Sequence, residues 1–273
     1  MKISYTVWTW MMDEYNNWKP TSSNPKGDFE KSLREVSDLG YPAFENFNLI
    51  VPLFEDCPEE FDGLVSKYGM EFVCLYHYFT DNFEADMKMG ERCCKFLVQH
   101  HAKFMNIQAP HVPEGDTTKK ELDQMVEMLI AMGQLSNKFD ITLCLHPHYG
   151  STVFTEKEID YILQNVPDNL VGLCMDTAHT TLGEMDPVKA FQKYVKRIKY
   201  VHLKDLDPSY PKEAPMSGFR ALGEGTLDFK GIVNSLKNGG YDGILTVECD
   251  YQRVCNYATA MVSRDYIHRV LRM

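Results

Sequence analysis

The chain has 273 residues, of which 44% are hydrophobic and 25% are charged, so it can bury a sizeable core and does not have a disordered composition. Its 28 basic against 39 acidic residues give a formal net charge of −11, which argues against a nucleic-acid partner because that binding depends on Lys and Arg. The N-terminal MKISYTVWTW lacks the apolar stretch of a signal peptide, no apolar run is long enough to span a membrane, and the eight cysteines form no CxxC pair, so we expect a cytoplasmic protein with reduced thiols.

Short apolar runs alternate with helix-patterned segments along the chain. The predicted strands are Ile3–Trp8, Ala43–Asn46, Phe72–Tyr76, Phe104–Gln108, Thr142–His146, Val171–Met175, Tyr200–His202 and Ile244–Glu248. The predicted helices include Phe29–Leu39, Glu84–His100, Lys120–Asn137, Glu156–Gln164, Pro187–Val195, Phe229–Lys237 and Ala258–Leu271. This alternation predicts one (β/α)8 barrel over residues 1–273. A doubly wound open sheet is the alternative, but the glycine-rich loop that usually follows its first strand is missing here.

Two long segments follow predicted strands on the side of the barrel where active sites are built. Residues 9–27 contain Trp10 and Trp18, and residues 206–225 contain Arg220. The aromatic residues predict a substrate wall that includes Trp10. Arg220 is a candidate for binding an anionic or hydroxyl-rich group, although a solvated arginine explains it equally well.

Each of the last four predicted strands ends in a side chain that can bind a metal. These residues are His146 in LCLHPHYGS, Asp176 in GLCMDTAH, His202 in YVHLKD and Glu248 in LTVECD. Taken singly, each has an ordinary explanation, such as a helix cap, an ion pair or a buried hydrogen bond. A barrel brings successive strand ends to one face, so together they predict a site for one divalent cation, with Mn²⁺ favoured and Co²⁺ or Zn²⁺ as alternatives.

The motifs HPHYGS, DTAH, VHLKD, LGEG and YDGILTVE cover the second half of the chain, from His146 onward. In these motifs the chain resembles the xylose isomerase-like TIM-barrel superfamily of sugar isomerases, epimerases, inosose dehydratases, hydroxypyruvate isomerase and endonuclease IV. The first half of the chain resembles the superfamily only in its pattern, and GYPAFE (Gly40–Glu45) is similar to the segment of its second strand. The resemblance implies a metal held by strands five to eight. Most relatives have Glu where this chain has His146, and HPHYGS is similar to the strand-five motif of inosose dehydratases and of enzymes that cleave 3-oxo-glycosides.

A cation held by two imidazoles and two carboxylates can polarise a ketone and acidify the neighbouring hydrogen. His148 is the first candidate for the base, because two residues after His146 it shares a face of the strand. Glu248 is the second, since a ligand carboxylate can double as a base. Loss of a β-substituent would give dehydration or elimination, and return of the proton would give isomerisation or epimerisation.

Three further residues are predicted to contact substrate, each with a structural alternative. Glu45 could instead form a salt bridge inside the barrel. His179 could form a hydrogen bond to a metal ligand, and Lys204 could form an ion pair with Asp205. The predicted partner is a small sugar or polyol, and a homo-oligomer is compatible with the sequence. A sugar isomerase or epimerase is the second hypothesis, a non-catalytic sugar-binding barrel the third, and an endonuclease IV-like enzyme the last.

Overall fold

A computed structural model describes residues 1–12, 23–80, 82–112, 117–211 and 213–273 of the chain. Eight parallel strands close into a barrel in the order β1-β10-β7-β6-β5-β4-β3-β2. They are β1 (Lys2–Thr6), β2 (Ala43–Phe47), β3 (Glu71–Tyr78), β4 (Phe104–Gln108), β5 (Thr142–His146), β6 (Gly172–Asp176), β7 (Ile198–Leu203) and β10 (Ile244–Val247). The predicted (β/α)8 barrel is therefore confirmed.

Helices lie between these strands and after the last one. They are α1 (Pro25–Asp38), α2 (Val51–Phe54), α3 (Pro58–Lys67), α4 (Phe83–Gln99), α5 (Lys119–Asn137), α6 (Glu156–Asn165), α7 (Thr177–Leu182), α8 (Pro187–Tyr194), α9 (Phe229–Asn238) and α10 (Asn256–Tyr266), which continues as a π-helix over Ile267–Leu271. Local sequence sets their ends: Thr118 and Glu121 form a capping box on α5, and the Asp186 side chain caps α8.

Three details of the fold differ from the sequence-based prediction. The first helix begins at Pro25 with Asn24 as its cap, four residues before the predicted start at Phe29. The helices α2, α3 and α7 were not predicted. A short antiparallel ribbon of β8 (Asp205–Leu206) and β9 (Phe219–Arg220) also forms within the loop after β7.

The barrel interior is lined by small and polar side chains as well as apolar ones. Below the carboxyl ends of the strands lie the thiols of Cys74, Cys144 and Cys174, all fully buried. All eight cysteines are free thiols. Among the described residues, no helix combines the length and apolar composition needed to cross a bilayer. Of the loop predicted as a substrate wall, residues 13–22, with Trp18, lie outside the described residues.

Candidate metal centre

The structure brings the four predicted metal ligands together at the carboxyl end of the barrel. His146 and Asp176 are the last residues of β5 and β6, His202 lies in β7, and Glu248 follows β10 directly. One ligand atom from each residue lies within 4.8 Å of those of the other three. His146 Nε2 is 4.0 Å from Asp176 Oδ2, and His202 Nδ1 is 2.9 Å from Glu248 Oε2. All four side chains are buried.

Three of these ligand atoms make no hydrogen bond outside the cluster to any of the described residues. They are His146 Nε2, Asp176 Oδ2 and His202 Nδ1. Buried polar atoms in folded proteins are nearly always paired, because an unpaired one loses its hydration without compensation. Three donor atoms of the kinds that bind metals, without a partner outside the cluster and aimed at the same small volume, fit a divalent cation.

A tyrosine from β3 fixes the protonation pattern of His146. The Tyr76 hydroxyl donates to Gln108 Oε1 over 2.8 Å and lies 3.2 Å from His146 Nδ1. Since its one proton goes to Gln108, its oxygen can accept from an Nδ1–H of His146. That arrangement leaves the lone pair of His146 on Nε2, which is the nitrogen that faces the other ligands.

A carboxylate from β2 orients the ring of His202. Glu45 is fully buried, and its Oε2 lies 3.1 Å from His202 Nε2 and accepts a bond from Asn106 Nδ2 over 2.9 Å. With Nε2 directed at Glu45, Nδ1 of His202 faces Glu248 and is the nitrogen that would bind a cation. Carboxylate–histidine pairs of this kind orient histidine ligands in metal sites.

The two carboxylate ligands are also held in place. Trp8 Nε1 donates to Glu248 Oε1 over 3.1 Å, and the Trp8 ring stacks on Phe47 with centroids 4.6 Å apart. Asp176 Oδ1 accepts from the backbone N–H of His179 over 2.7 Å and so caps α7. The cap uses one oxygen of Asp176 and leaves Oδ2 facing the cluster.

Lys204 adds a buried positive charge beside the ligands. Its Nζ lies 2.5 Å from Asp250 Oδ2, 3.0 Å from Glu248 Oε2 and 3.7 Å from Asp176 Oδ2. Burial alone would lower the pKa of Lys204, but these three acids raise it well above its usual range. Burial raises the pKa of Asp250 to about 7 even though Lys204 opposes the shift. The amine therefore stays charged.

His148 and His179 pack against each other next to the ligand cluster, with their rings tilted by 39°. Their ring centroids are 3.9 Å apart, and the ring of His148 is 5.7 Å from that of His146. His148 Nδ1 lies 2.7 Å from the carbonyl oxygen of Tyr149, so it carries the proton and Nε2 holds the lone pair. Burial and the charge of Lys204 lower the pKa of His148 to about 4, away from the near-neutral value that is ordinary for histidine.

The family model of the xylose isomerase-like TIM barrel matches residues 33–265. The chain belongs to this family. It is 27% identical over 272 residues to an inosose dehydratase of Geobacillus kaustophilus, which covers 89% of this chain and 87% of the relative. A probable 3-DHS dehydratase of Bacillus anthracis superimposes with a TM-score of 0.80 at 15% identity over 99% of this chain and all of that one. A zinc-bound IOLI protein superimposes with a TM-score of 0.78 at 17% identity over 99% and 98%.

These comparisons confirm the predicted family and the predicted class of enzyme, a lyase or an isomerase or epimerase. The matched segment of the family model includes all four residues of the ligand cluster. Three of the other predicted residues make hydrogen bonds or ion pairs within the protein.

Trp10, Arg220 and Glu45, which are predicted to contact substrate, each have protein partners in the structure. Trp10 Nε1 donates to Glu35 on α1 over 2.7 Å, because the 3₁₀ turn Trp8–Trp10 directs Trp8 rather than Trp10 toward the ligands. Arg220 donates to Asp207 Oδ2 over 3.0 Å and to the carbonyl oxygens of Ser217 and Phe219. Its guanidinium therefore bonds to partners within its own loop. Glu45 contacts His202 and so forms the barrel ion pair that was the alternative interpretation.

Two residues of the site escaped the sequence analysis. Trp8 and Tyr76 each contact a ligand, and both were the last residues of predicted strands. The ends of all eight predicted strands, and not only of the last four, therefore carry the signal that marks Trp8 and Tyr76.

Proposed function

We propose that this chain is a divalent-metal-dependent lyase that removes a hydrogen next to the ketone of a keto-polyol and expels a neighbouring hydroxyl as water. The observation that supports the proposal is the cluster of His146, Asp176, His202 and Glu248, in which the ligand atoms of the first three make no hydrogen bond outside the cluster to the described residues. The name of the Geobacillus kaustophilus relative, inosose dehydratase, supports a cyclic keto-polyol as the substrate class. The name of the Bacillus anthracis neighbour supports loss of water.

His146, Asp176, His202 and Glu248 would hold the cation, and Mn²⁺ suits their mixed nitrogen and oxygen donors, with Co²⁺ or Zn²⁺ as alternatives. A cation bound there supplies a Lewis acid that polarises the ketone and so acidifies the adjacent hydrogen. The IOLI neighbour binds zinc, which supports a divalent metal in this kind of barrel.

The remaining residues bind substrate and move protons. His148 takes the hydrogen through Nε2, since its Nδ1 is occupied by the Tyr149 carbonyl. Lys204 holds a substrate oxygen through an amine that three acids keep charged. His179 Nε2 lies 3.4 Å from Lys204 Nζ, so both side chains can contact neighbouring hydroxyls of one substrate. Glu248, the second candidate base, is held by Trp8 and Lys204, and this favours its role as a ligand.

The test is to incubate the Mn²⁺-loaded protein with a keto-inositol in deuterated water. We expect incorporation of deuterium next to the ketone and a product that has lost one water, both detected by mass spectrometry. An isomer that keeps all its oxygen would support the isomerase or epimerase alternative instead. Metal-loaded protein that neither exchanges hydrogen nor changes any of a panel of keto-polyols would contradict both and favour a binding protein.

A further inference from the structure

A thiol lies directly below the proposed metal centre. Cys174 precedes Asp176 by two residues on β6, so both side chains point into the barrel. Because Asp176 ends the strand, Cys174 lies farther from the carboxyl end of the barrel. The Cys174 side chain is fully buried.

Cys174 shares its surroundings with the two histidines of the centre. Ligand atoms of His146, Cys174 and His202 all lie within 4.8 Å of one another. His146 Nε2 has no hydrogen-bond partner among the described residues, and the neighbour of His202 Nδ1 is Glu248 Oε2 at 2.9 Å, which belongs to the proposed metal centre itself. The two histidines thus belong to two overlapping donor sets, one completed by carboxylates and one by a thiol.

We propose that His146, Cys174 and His202 form a second, deeper binding site for thiophilic cations such as Cd²⁺ and Hg²⁺. Thiolate ligands favour soft cations, whereas carboxylates favour hard ones such as Mn²⁺ and Mg²⁺. In a tetrahedral site with metal–nitrogen and metal–sulfur bonds of about 2.0–2.3 Å, ligand atoms lie roughly 3.5 Å apart. Movements of about 1 Å from the present separations would therefore close the set.

Occupancy of the two sites is mutually exclusive, because each needs both histidines. A thiophilic cation would bind one step below the position where Asp176 and Glu248 can reach it, and the Cys174 proton would pass to solvent as the thiolate forms. The inference shares its histidines with the proposed function but concerns a different cation and a different ligand. It predicts that Cd²⁺ inactivates the protein. A Cd²⁺ ion in the deeper site would occupy both histidines and so displace the catalytic metal.

The test is a Cd²⁺ titration of metal-free protein, followed by the ultraviolet thiolate-to-cadmium charge-transfer band. All proteins carry Cys57→Ser and Cys255→Ser, because these are the thiols that solvent reaches. Cys174→Ser is compared with Cys144→Ser, which removes another fully buried thiol from the same barrel interior. Mn²⁺ binding to each protein is measured separately by electron paramagnetic resonance.

We expect the parent and Cys144→Ser to develop the band up to one Cd²⁺ per chain, and Cys174→Ser to lack it while it binds Mn²⁺ like the parent. A band that persists in Cys174→Ser, or stoichiometric Cd²⁺ binding to the parent without a band, would overturn the inference. Failure of the parent to bind Mn²⁺ would count against the proposed function instead, and the cadmium band would still decide the deeper site.

Discussion

The second half of the barrel supplies the four residues of the proposed metal centre, whereas the first half supplies side chains that orient three of them. Trp8 near β1 contacts Glu248, Glu45 in β2 contacts His202, and Tyr76 in β3 contacts His146. The two halves therefore have different tasks. One provides the atoms that would bind a cation, and the other fixes which nitrogen of each histidine faces it.

This difference predicts a graded response to mutation. Removal of a ligand eliminates a donor atom, whereas removal of an orienting side chain leaves the donor in place but frees its ring or changes its tautomer. Residues that orient metal ligands typically contribute about 10–100-fold in affinity or activity, less than the ligands themselves.

The largest effect is expected from Asp176→Asn. Asparagine keeps an oxygen to cap α7 but removes the anionic Oδ2 that faces the cluster. Loss of the stabilisation supplied by a bound cation, worth several kcal/mol, should lower turnover by about 10⁴-fold. Steady-state kinetics and metal analysis check this, with circular dichroism as the control for folding. Near-normal turnover would remove Asp176 from the centre.

The next effect is expected from His148→Ala, which tests a second-half residue that is not a ligand. The variant should keep its metal and lose about 10²–10⁴-fold in turnover, the usual contribution of one general base. Exchange of the substrate hydrogen with solvent deuterium is the measurement, and His268→Ala, an exposed histidine of the C-terminal segment, is the matched control. Exchange at the parental rate would make Glu248 the leading base, and loss of the metal would make His148 a ligand.

Glu45→Gln tests the first half of the barrel. Without the carboxylate beside its Nε2, His202 should no longer be held with its Nδ1 toward the cluster, and Mn²⁺ affinity should fall by about 10–100-fold. Glu35→Gln is the control, because Glu35 bonds Trp10 outside the cluster. Unchanged Mn²⁺ affinity in Glu45→Gln would show that His202 does not depend on its partner in β2.

The smallest effect is expected from Tyr76→Phe. The ring that stacks on Phe47 stays, and only the hydroxyl beside His146 Nδ1 is lost. A neutral hydrogen bond contributes about 0.5–1.5 kcal/mol, so Mn²⁺ affinity should fall by about 2–10-fold. Tyr41→Phe, which removes a buried hydroxyl that bonds the Ala260 carbonyl, should leave the affinity unchanged. Equal losses in both variants would indicate a general loss of stability.

The same contrast explains which features could be predicted from the sequence. Strand ends such as His146 and Glu248 were identifiable because an apolar run followed by a polar residue has a defined position in a barrel. The helix α7 was not identifiable, because its six residues, Thr177–Leu182, are too few to show a helical period. The roles of Glu45 and Tyr76 depend on contacts across the barrel with β7 and β5, which are far away in sequence. Those contacts follow from barrel closure and not from any local pattern.

The central claim, that four strand ends bind one divalent cation, is tested most directly by counting Mn²⁺ bound to metal-free protein by electron paramagnetic resonance. We predict one tightly bound ion per chain in the parent and none in His202→Ala, provided that circular dichroism shows both to be folded. Absence of bound Mn²⁺ in the parent together with no binding of Co²⁺ or Zn²⁺, or a full ion in folded His202→Ala, would contradict the account.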